Sequence, residues 1–349
     1  MIRVGIAGVG FMGWIHYLAY NKVSGARVAA VCEKDPKRLS GDWRSIRGNF
    51  GPPGRKVDLA GIARYSEISD LVADPEIDLV DICLPPALHA EVAVAALRAG
   101  KHVFSEKPIA LRSQDAVRMV RAAERSGKML LVGQVLPFFP EYDFALKAIR
   151  SGKYGKALGG HFKRIISDPL WMHGYYDPET HGGPAIDLHV HDAHFIRLAF
   201  GMPTAVQSVG TMRGKVAFRF STQFVFDDPA LVVTASSGVI DQQGRPFTHG
   251  YEVYLERATI IYDAATLGKD WVVAYPVTLL DPKGKVVRPK FPPSDPTDAF
   301  VAEIREVVRA VRSGVPSKLL AGDLARDALV LCEREQASVE QRVPFPISF

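Results

Sequence analysis

Three side chains in this sequence have the chemistry needed to move a proton on or off a hydroxyl group. Lys107 stands in a Glu-Lys-Pro run at residues 106–108, and Asp187 lies four residues before His191. A lysine ammonium can hydrogen-bond a hydroxyl and stabilise negative charge that develops on its oxygen. A neutral imidazole can accept the hydroxyl proton near pH 7, and a carboxylate can hold both the hydroxyl and the imidazole. Together they are suited to interconverting an alcohol and a carbonyl, provided that another group takes the hydride.

The residues around Lys107 indicate how it would be positioned. Residues 101–105 have strand character, so Lys107 would follow a parallel strand at its carboxyl end, where open α/β sheets bind ligands. Pro108 fixes its own φ and restricts its neighbour, and Glu106 could orient the ammonium. An exposed lysine in a turn is the ordinary alternative, and these three residues alone do not exclude it.

Asp187 and His191 belong to a segment whose sequence predicts a helix. Two glycines and Pro184 precede an apolar pattern, and proline is suited to the first turn of a helix. On a helix Asp187 and His191 share a face, with His194 on the same face at i+7 and His189 on the other side. A polar helix face with ordinary structural histidines is the alternative for this segment taken alone.

The same histidines allow a rival interpretation, the metal site of a hydrolase. His189 and His191 form a His-x-His pair, which on a strand would converge on one metal ion. The Gly-Gly-Pro start favours a helix instead, and a helix would separate the two rings. The other histidines considered as ligands lack metal-site spacing: His161, His173 and His181. We therefore predict no metal site and keep the hydrolase as the less favoured alternative.

A glycine-rich turn near residue 10 is suited to binding a dinucleotide. Residues 8–13 read GVGFMG, which fits GxGxxG and stands between a β-type run and a helical pattern. In a Rossmann fingerprint Gly8 makes the tight turn, Gly10 lets the backbone approach the pyrophosphate, and Gly13 permits close helix–strand packing. The pyrophosphate would lie at the N-terminus of the helix that follows. The motif therefore predicts a nicotinamide cofactor as the partner for the hydride.

Glu33 favours NAD over NADP as that cofactor. It stands twenty residues after Gly13, at the end of the second predicted strand, where a carboxylate accepts hydrogen bonds from the adenosine ribose hydroxyls. A carboxylate at this position repels a 2′-phosphate. Lys34 and Arg38 lie close by in the sequence and could neutralise such a phosphate, so NADP is kept as a possible cofactor.

The order of elements predicts two domains. Residues 1–135 alternate strand and helix patterns, which predicts a Rossmann domain, a doubly wound parallel sheet with helices on both faces. The predicted strands cover 2–7, 27–32, 79–84, 101–105 and 129–132, and the predicted helices cover 11–20, 87–99 and 113–126. Residues 136–349 predict an α+β domain with a mostly antiparallel open sheet, for substrate binding and oligomerisation. Its alternating or β-type runs are 216–226, 231–239 and 251–256, and a helical stripe from 300 to 311 could pack back on the first domain.

Composition restricts the partners and the compartment. The chain has 349 residues with a net charge of +5, and its lysines and arginines are scattered rather than clustered. No apolar run approaches the roughly 20 residues of a membrane span, so we expect neither a membrane nor a nucleic acid as a partner. Three well-separated cysteines and the lack of a signal-peptide pattern predict a cytoplasmic protein with reduced thiols.

With these motifs in view, the sequence resembles the glucose–fructose oxidoreductase, inositol dehydrogenase and MocA family. The resemblance covers nearly the whole chain and is carried by the glycine turn, PPALH at 85–89, AGKHVFSEKP at 99–108 and GGPAIDLHVHD at 182–192. It implies a catalytic lysine at Lys107 and a substrate-site aspartate and histidine at Asp187 and His191. It further implies oxidation or reduction of sugars, cyclitols or related polyols, and a homodimer or homotetramer that assembles through the open sheet.

The motifs and the resemblance together give a set of expected contacts. The predicted cofactor contacts are Gly8, Gly10, Phe11, Met12, Gly13, Glu33, Lys34, Arg38, Pro85, His89, Glu106 and Lys107, and the predicted substrate contacts are Asp187, His191 and His194. Whether His191 or Lys107 takes the proton is left open. A Rossmann-based sensor that binds nucleotide without turnover is the second function class.

Three features depart from the family pattern. Many relatives carry an arginine where this chain has Pro137, and an acidic residue where it has His194. Residues 40–61 look longer than in typical relatives and read as a turn-rich loop or insertion. Because Pro137 and His194 are expected near the substrate, the substrate cannot be copied from any one relative.

Overall fold

The computed structural model describes residues 1–292 and 295–347. Its strands are β1 Ile2–Ala7, β2 Ala26–Cys32, β3 Ala63–Tyr65, β4 Leu79–Ile82, β5 His102–Glu106, β6 Leu130–Gly133, β7 Ala157–Ser167, β8 Ala205–Arg213, β9 Val216–Val225, β10 Val232–Ile240, β11 Phe247–Leu255, β12 Ala258–Leu267, β13 Asp270–Leu280, β14 Val286–Val287 and β15 Phe345–Pro346. Its α-helices are α1 Phe11–Tyr20, α2 Pro36–Leu39, α3 Ile68–Ala73, α4 Pro86–Arg98, α5 Ser113–Ser126, α6 Pro140–Arg150, α7 Val190–Phe200, α8 Pro296–Ser313 and α9 Gly322–Gln341.

The chain divides into two compact units. The first contains Met1–Phe138 together with Pro293–Arg326, so α8 belongs to it, and the second contains Phe139–Pro292 together with Asp327–Phe349. Each unit has its own sheet, and each is described separately below.

The first unit is a Rossmann domain, as the sequence predicts. Within its described residues, six parallel strands form one sheet in the order β3-β2-β1-β4-β5-β6. The inner strands β1, β4 and β5 are almost wholly buried, as expected where helices cover both faces. The order reverses between β1 and β4, where β1 continues into the glycine turn. Ligands of such sheets bind outside the carboxyl ends of the strands at this crossover.

The second unit contains a mostly antiparallel sheet, also as predicted. Nine strands of its described part follow the order β14-β13-β12-β11-β7-β10-β9-β8-β15, and β7 and β10 form a parallel pair among antiparallel neighbours. Along β9, buried and exposed residues alternate from Phe218 to Val225, so one face packs inward and the other is open. The first seven residues of β13 are exposed, without any alternation.

The helix signals correspond to observed ends. Gly127 and Gly314 cap α5 and α8 in the left-handed conformation, with φ of 65° and 69°. Asp295 begins α8 with a capping box that Asp298 completes. Among the described helices, none is long and apolar enough to cross a membrane.

Candidate functional site

The glycine turn has the geometry that a bound dinucleotide requires. Gly8 has φ +95°, and a Cβ there would lie 2.7 Å from the carbonyl oxygen of Cys83. A Cβ on Gly13 would lie 2.1 Å from the carbonyl oxygen of Gly8, so only glycine allows α1 to pack this closely on the turn. A Cβ on Gly10 would meet no atom of the described residues within 4 Å. The protein backbone therefore does not need glycine at residue 10, and the open space beside it fits an approaching pyrophosphate.

The N-terminus of α1 is also suited to an anion. Its N-cap is Gly10, no described side chain caps it, and its first turn carries no acidic residue. The first backbone N–H groups of the helix are thus left for a ligand, and the helix dipole favours negative charge there. Phe11 and Met12, both predicted cofactor contacts, are partly exposed in this first turn.

Glu33 lies directly after β2 and has a role that the motif alone did not predict. One carboxylate oxygen accepts a hydrogen bond from the backbone N–H of Val9 at 2.9 Å, and the other accepts one from the backbone N–H of Asp35 at 3.0 Å. Glu33 therefore braces the glycine turn. Each oxygen can accept a second bond, so the carboxylate keeps capacity for ribose hydroxyls.

Of the two possible 2′-phosphate partners, Arg38 and Lys34, Arg38 has contacts at the glycine turn. The Arg38 guanidinium lies 3.9 Å from the Glu33 carboxylate and donates a long, 3.4 Å bond to the carbonyl of Val9. Its side chain is about one-third exposed, and Lys34 is exposed. Arg38 is thus a cation close to Glu33 and to the glycine turn.

Residues 40–61, which look longer than in typical relatives, pack against α1. Trp43 is fully buried and packs edge-on against Trp14, whose indole N–H donates to the carbonyl of Pro52 at 2.8 Å. Phe50 packs edge-on against Phe11 at 4.8 Å between ring centroids. The segment therefore covers the side of α1 that adjoins the glycine motif, a position that sequence reasoning did not assign.

Lys107 lies where the sequence places it, immediately after β5. It is partly exposed, whereas every other residue of 103–110 is buried. The carboxylate of Glu106 accepts the backbone N–H of Lys107 at 3.0 Å and lies 3.0 Å from Nε2 of the buried His16. The Lys107 side chain thus projects from a rigidly held backbone. Sequence reasoning did not single out His16.

His89, a predicted cofactor contact, also supports this segment. It is fully buried near the start of α4, which follows Pro85, and its ring nitrogens lie 2.8 Å from the carbonyl oxygens of Pro108 and Leu84. Burial lowers the pKa of His89, so the neutral ring donates to one of these carbonyls at a time. The imidazole thereby connects the loop after β4 to the residue that follows Lys107.

The Asp187 segment is helical, but its first turn differs from the predicted α-helix. Pro184–Leu188 forms a π-helical turn, closed by a 2.8 Å bond from the N–H of His189 to the carbonyl of Pro184, and α7 begins at Val190. The spacing argument for one face assumed 3.6 residues per turn throughout, and that assumption is wrong for this turn. Between residues 182 and 196, only Asp187 and His191 are partly exposed, and the other residues are buried.

His194, the third expected substrate contact, is fully buried one turn beyond His191. The burial pattern therefore selects two of the three predicted residues as the accessible pair. Pro137, the other departure from the family pattern, is buried in a 3-10 turn at Leu136–Phe138 in the first unit.

Two buried ion pairs hold the Asp187 segment. Arg164 of β7 donates two hydrogen bonds to Asp192, at 2.7 and 3.0 Å, and both side chains are almost completely buried. Nε2 of His189 lies 3.0 Å from the carboxylate of Glu335 on α9. Burial lowers the pKa of His189, but Glu335 raises it by more, so the net pKa is above its ordinary value. Neither pair was predicted, because neither partner is close in sequence.

The rival metal interpretation finds no support here. His189 points toward Glu335, and the backbone from 184 to 200 is helical rather than extended. Within residues 1–292 and 295–347, the one His/Cys/Asp/Glu group that could share a metal ion is His16, Asp81 and Cys83. Its histidine and aspartate are already at hydrogen-bond distance, and it includes neither histidine of the His-x-His pair.

Two family models match the sequence over the segments described above. The model for an oxidoreductase family with an NAD-binding Rossmann fold matches residues 2–134, and the GFO/IDH/MocA C-terminal domain matches residues 142–261. The first match contains the glycine turn and Lys107, and the second contains Asp187 and His191. Each segment of the candidate site thus falls within a matched domain.

Individual relatives agree with these matches. The chain is 27% identical to a myo-inositol 2-dehydrogenase of Thermotoga maritima, over 98% of this chain and 97% of that protein. It is 30% identical to inositol 2-dehydrogenase 2 of Saccharopolyspora erythraea, over 68% and 65% respectively. A solved levoglucosan dehydrogenase with NADH and levoglucosan is similar with a TM-score of 0.80 at 20% identity, and the similarity covers both chains completely. At that identity, the similarity to levoglucosan dehydrogenase shows the fold alone.

Proposed function

We propose, starting from the fact that this chain belongs to the GFO/IDH/MocA family of NAD-binding oxidoreductases, that it interconverts a secondary alcohol and a ketone on a polyol. The substrate class is a sugar, a cyclitol or a related polyol, and the cofactor is NAD. The observation that carries the proposal is shared by both units. Each unit has a buried, firmly held segment in which polar residues are partly exposed. These residues are Lys107 in the first unit, and Asp187 and His191 in the second.

The proposed chemistry divides the work between the cofactor and the chain. When bound, the nicotinamide exchanges a hydride with the substrate carbon, so the protein has only to position that carbon and to move a proton at its oxygen. Lys107 hydrogen-bonds this oxygen and stabilises its developing negative charge. Asp187 holds the substrate hydroxyls, and His191 takes the proton in the oxidation direction.

His191 is the preferred base because an imidazole is largely neutral near pH 7, whereas a lysine is ordinarily protonated. A lysine can exchange roles with it when neighbouring groups lower its pKa. The two assignments differ in which variant, that of His191 or that of Lys107, loses the pH dependence of turnover. If His191 is the base, its loss removes the limb of the turnover profile that titrates near neutral pH.

NAD is preferred to NADP because the Glu33 carboxylate stands next to the glycine turn. Its hydrogen bond from the N–H of Val9 fixes the carboxylate in place. A 2′-phosphate bound there would therefore be repelled by the negative charge of Glu33. Arg38, which is partly exposed 3.9 Å from that carboxylate, is the residue on which any use of NADP would depend.

The experiment that tests the proposed function is a substrate panel. Sugars, inositols and sugar acids are each incubated with the purified protein and NAD or NADP, and nicotinamide absorbance at 340 nm is followed. We expect turnover with at least one polyol and a preference for NAD. If NAD binds but no sugar, inositol or sugar acid is turned over, the result favours the nucleotide-binding sensor and contradicts the proposal.

We also propose that the second unit assembles with another copy of the chain. The exposed edge around β13 carries large apolar side chains, including Trp271, Val273 and Tyr275, which are 41–60% exposed. Apolar patches of this kind usually mark interaction surfaces, and most soluble oligomers are symmetric homo-oligomers. Light scattering at micromolar concentration should give the mass of a dimer or tetramer, and Tyr275→Glu should lower it. A wild-type monomer would refute this proposal.

A further inference from the structure

A buried histidine in the first unit links two carboxylates. His16 on α1 is fully buried and stacks on Phe104. Its Nδ1 lies 2.9 Å from the carboxylate of Asp81 on β4, and its Nε2 lies 3.0 Å from the carboxylate of Glu106 at the end of β5. A neutral imidazole has one N–H and cannot donate to both carboxylates. The geometry therefore favours a doubly protonated His16.

The charges around His16 are consistent with this state. Burial lowers the pKa of His16, but Asp81 and Cys83 raise it by more, and its net pKa lies well above the ordinary value. From α8, the fully buried Glu303 also faces the cluster, and burial together with Glu106 raises the pKa of its carboxyl group. Burial therefore favours the neutral form of the Glu303 carboxyl group.

The remaining titratable groups that face the cluster are also neutral. Burial, followed by Asp81, raises the pKa of the Cys83 thiol, whose Sγ lies 3.3 Å from Nδ1 of His16. Burial likewise raises the pKa of Tyr20, one turn along α1. The His16 imidazole thus lies between the carboxylates of Asp81 and Glu106, at 2.9 and 3.0 Å.

Glu106 carries the effect of His16 to the proposed active residue. One of its carboxylate oxygens binds His16, and the other accepts the backbone N–H of Lys107 at 3.0 Å. A carboxylate held at both oxygens can turn in neither direction. The backbone N–H of Lys107 is thereby linked through Glu106 to His16 on α1, and through His16 to Asp81 on β4.

We propose that His16 is a positioning residue, whose imidazolium keeps Glu106 ionised and oriented so that Glu106 holds the Lys107 backbone. This inference rests on the proposed role of Lys107 at the substrate hydroxyl. Without the imidazolium, Glu106 would lie buried near Asp81 and Glu303 with no cation from His16. Its affinity for a proton would rise, and a protonated Glu106 is a weaker acceptor for the Lys107 N–H.

The test compares turnover against pH, at saturating NAD and substrate, in four proteins. These are the wild type, His16→Gln, Glu106→Gln and the double variant. Gln at residue 16 can donate to one carboxylate but carries no charge, and Gln at residue 106 can accept the Lys107 N–H but cannot ionise. His161→Gln, an exposed histidine on β7, is the matched control. Urea unfolding and NAD affinity are measured for each variant.

We expect His16→Gln to lower turnover about tenfold at pH 6, with a loss that shrinks as pH rises and with little change in KM. Glu106→Gln should lower turnover at every pH, and the double variant should be no slower than Glu106→Gln alone, because the two residues act in series. A merely structural role would lower stability without creating a new acidic limb in the pH profile.

Three results would overturn the proposal. They are an unchanged pH profile in His16→Gln, losses that multiply in the double variant, or wild-type turnover in Glu106→Gln. The last result decides the question even if His16→Gln does not fold. Lys107→Met, run alongside, separates this inference from the proposed function. If Lys107→Met keeps wild-type turnover, the role of Lys107 fails, whereas an inactive Lys107→Met beside a normal His16→Gln contradicts the inference alone.

Discussion

The segment around Lys107 and the segment around Asp187 present their polar residues in the same way but are held by different means. Lys107 follows β5, an interior strand of a regular parallel sheet. The Glu106 carboxylate accepts the Lys107 backbone N–H, and the His89 ring lies 2.8 Å from the carbonyl oxygen of Pro108. Asp187 lies in a single π-helical turn, and the helix after it is tied to the sheet by the buried pair Arg164–Asp192. The first segment is held at the end of a strand within the parallel sheet, and the second is held by a π-helical turn and by an ion pair to a residue of β7.

This difference explains what the sequence could predict. The bounds of β1, α1 and α5 agree with the predicted ranges 2–7, 11–20 and 113–126, because glycine turns and periodicity are local signals. The need for glycine at residues 8 and 13 also lies in local backbone geometry, because a Cβ at either position would meet a backbone carbonyl. The class of both sheets was predictable for the same reason.

Long-range contacts were not predictable. His189 and Glu335 are 146 residues apart, and His16 and Glu106 are 90 apart, so no spacing pattern connects them. The π-helical turn differs from an α-helix by one residue in its hydrogen bonding, and an apolar pattern over five residues cannot separate the two. The exposed start of β13 lacks the alternation by which a strand is recognised, and it was not predicted.

The largest effect should come from breaking the buried pair of the second unit. Asp192→Asn leaves the Arg164 guanidinium buried without its counter-charge, which should lower the free energy of unfolding by about 3–5 kcal/mol. Asp263→Asn is the matched control. Asp263 pairs with Lys163, which is next to Arg164 on β7, but both side chains of this pair are about one-third exposed. That change should cost less than about 1 kcal/mol in urea unfolding. Equal losses would show that the buried pair has no special role.

A second test separates fold from ligand within the glycine turn. Gly13→Ala forces a Cβ against the carbonyl of Gly8 and should destabilise the first unit by about 1–3 kcal/mol or more. A Cβ at residue 10 meets no atom of the described residues within 4 Å, so Gly10→Ala should unfold like the wild type and bind NAD about tenfold more weakly. Urea unfolding and NAD titration measure the two effects. Unchanged NAD affinity in Gly10→Ala would contradict the proposed pyrophosphate position.

A smaller effect is expected at the ribose position. Glu33→Gln keeps an acceptor for the Val9 N–H but removes the charge, so NAD should bind about fivefold more weakly while NADP binds no worse. Arg38→Gln is the opposing control and should weaken NADP more than NAD. Fluorescence titration with each cofactor gives the ratios. If Glu33→Gln lowers the affinities for NAD and NADP equally, the charge of Glu33 does not account for the preference for NAD.

The smallest effect concerns the pH dependence of the pair between His189 and Glu335. Because the folded state raises the pKa of His189 above its ordinary 6.5, the pair contributes fully below about pH 6.5. That contribution is lost as pH rises through the raised pKa. The difference in unfolding free energy between wild type and Glu335→Gln should therefore shrink from pH 6 toward alkaline pH. A difference that grows with pH would mean that His189 is not protonated in the folded protein.

The central proposal is that Lys107 and His191, one in each unit, are both needed for turnover. It is tested most directly by the turnover of Lys107→Met and His191→Ala, at saturating NAD and polyol, with Lys147→Met and His161→Ala as exposed controls. Each active-site change should lower turnover by roughly 10²-fold or more, while NAD affinity and the controls stay near wild type. Near wild-type turnover in both folded, saturated variants would contradict the account.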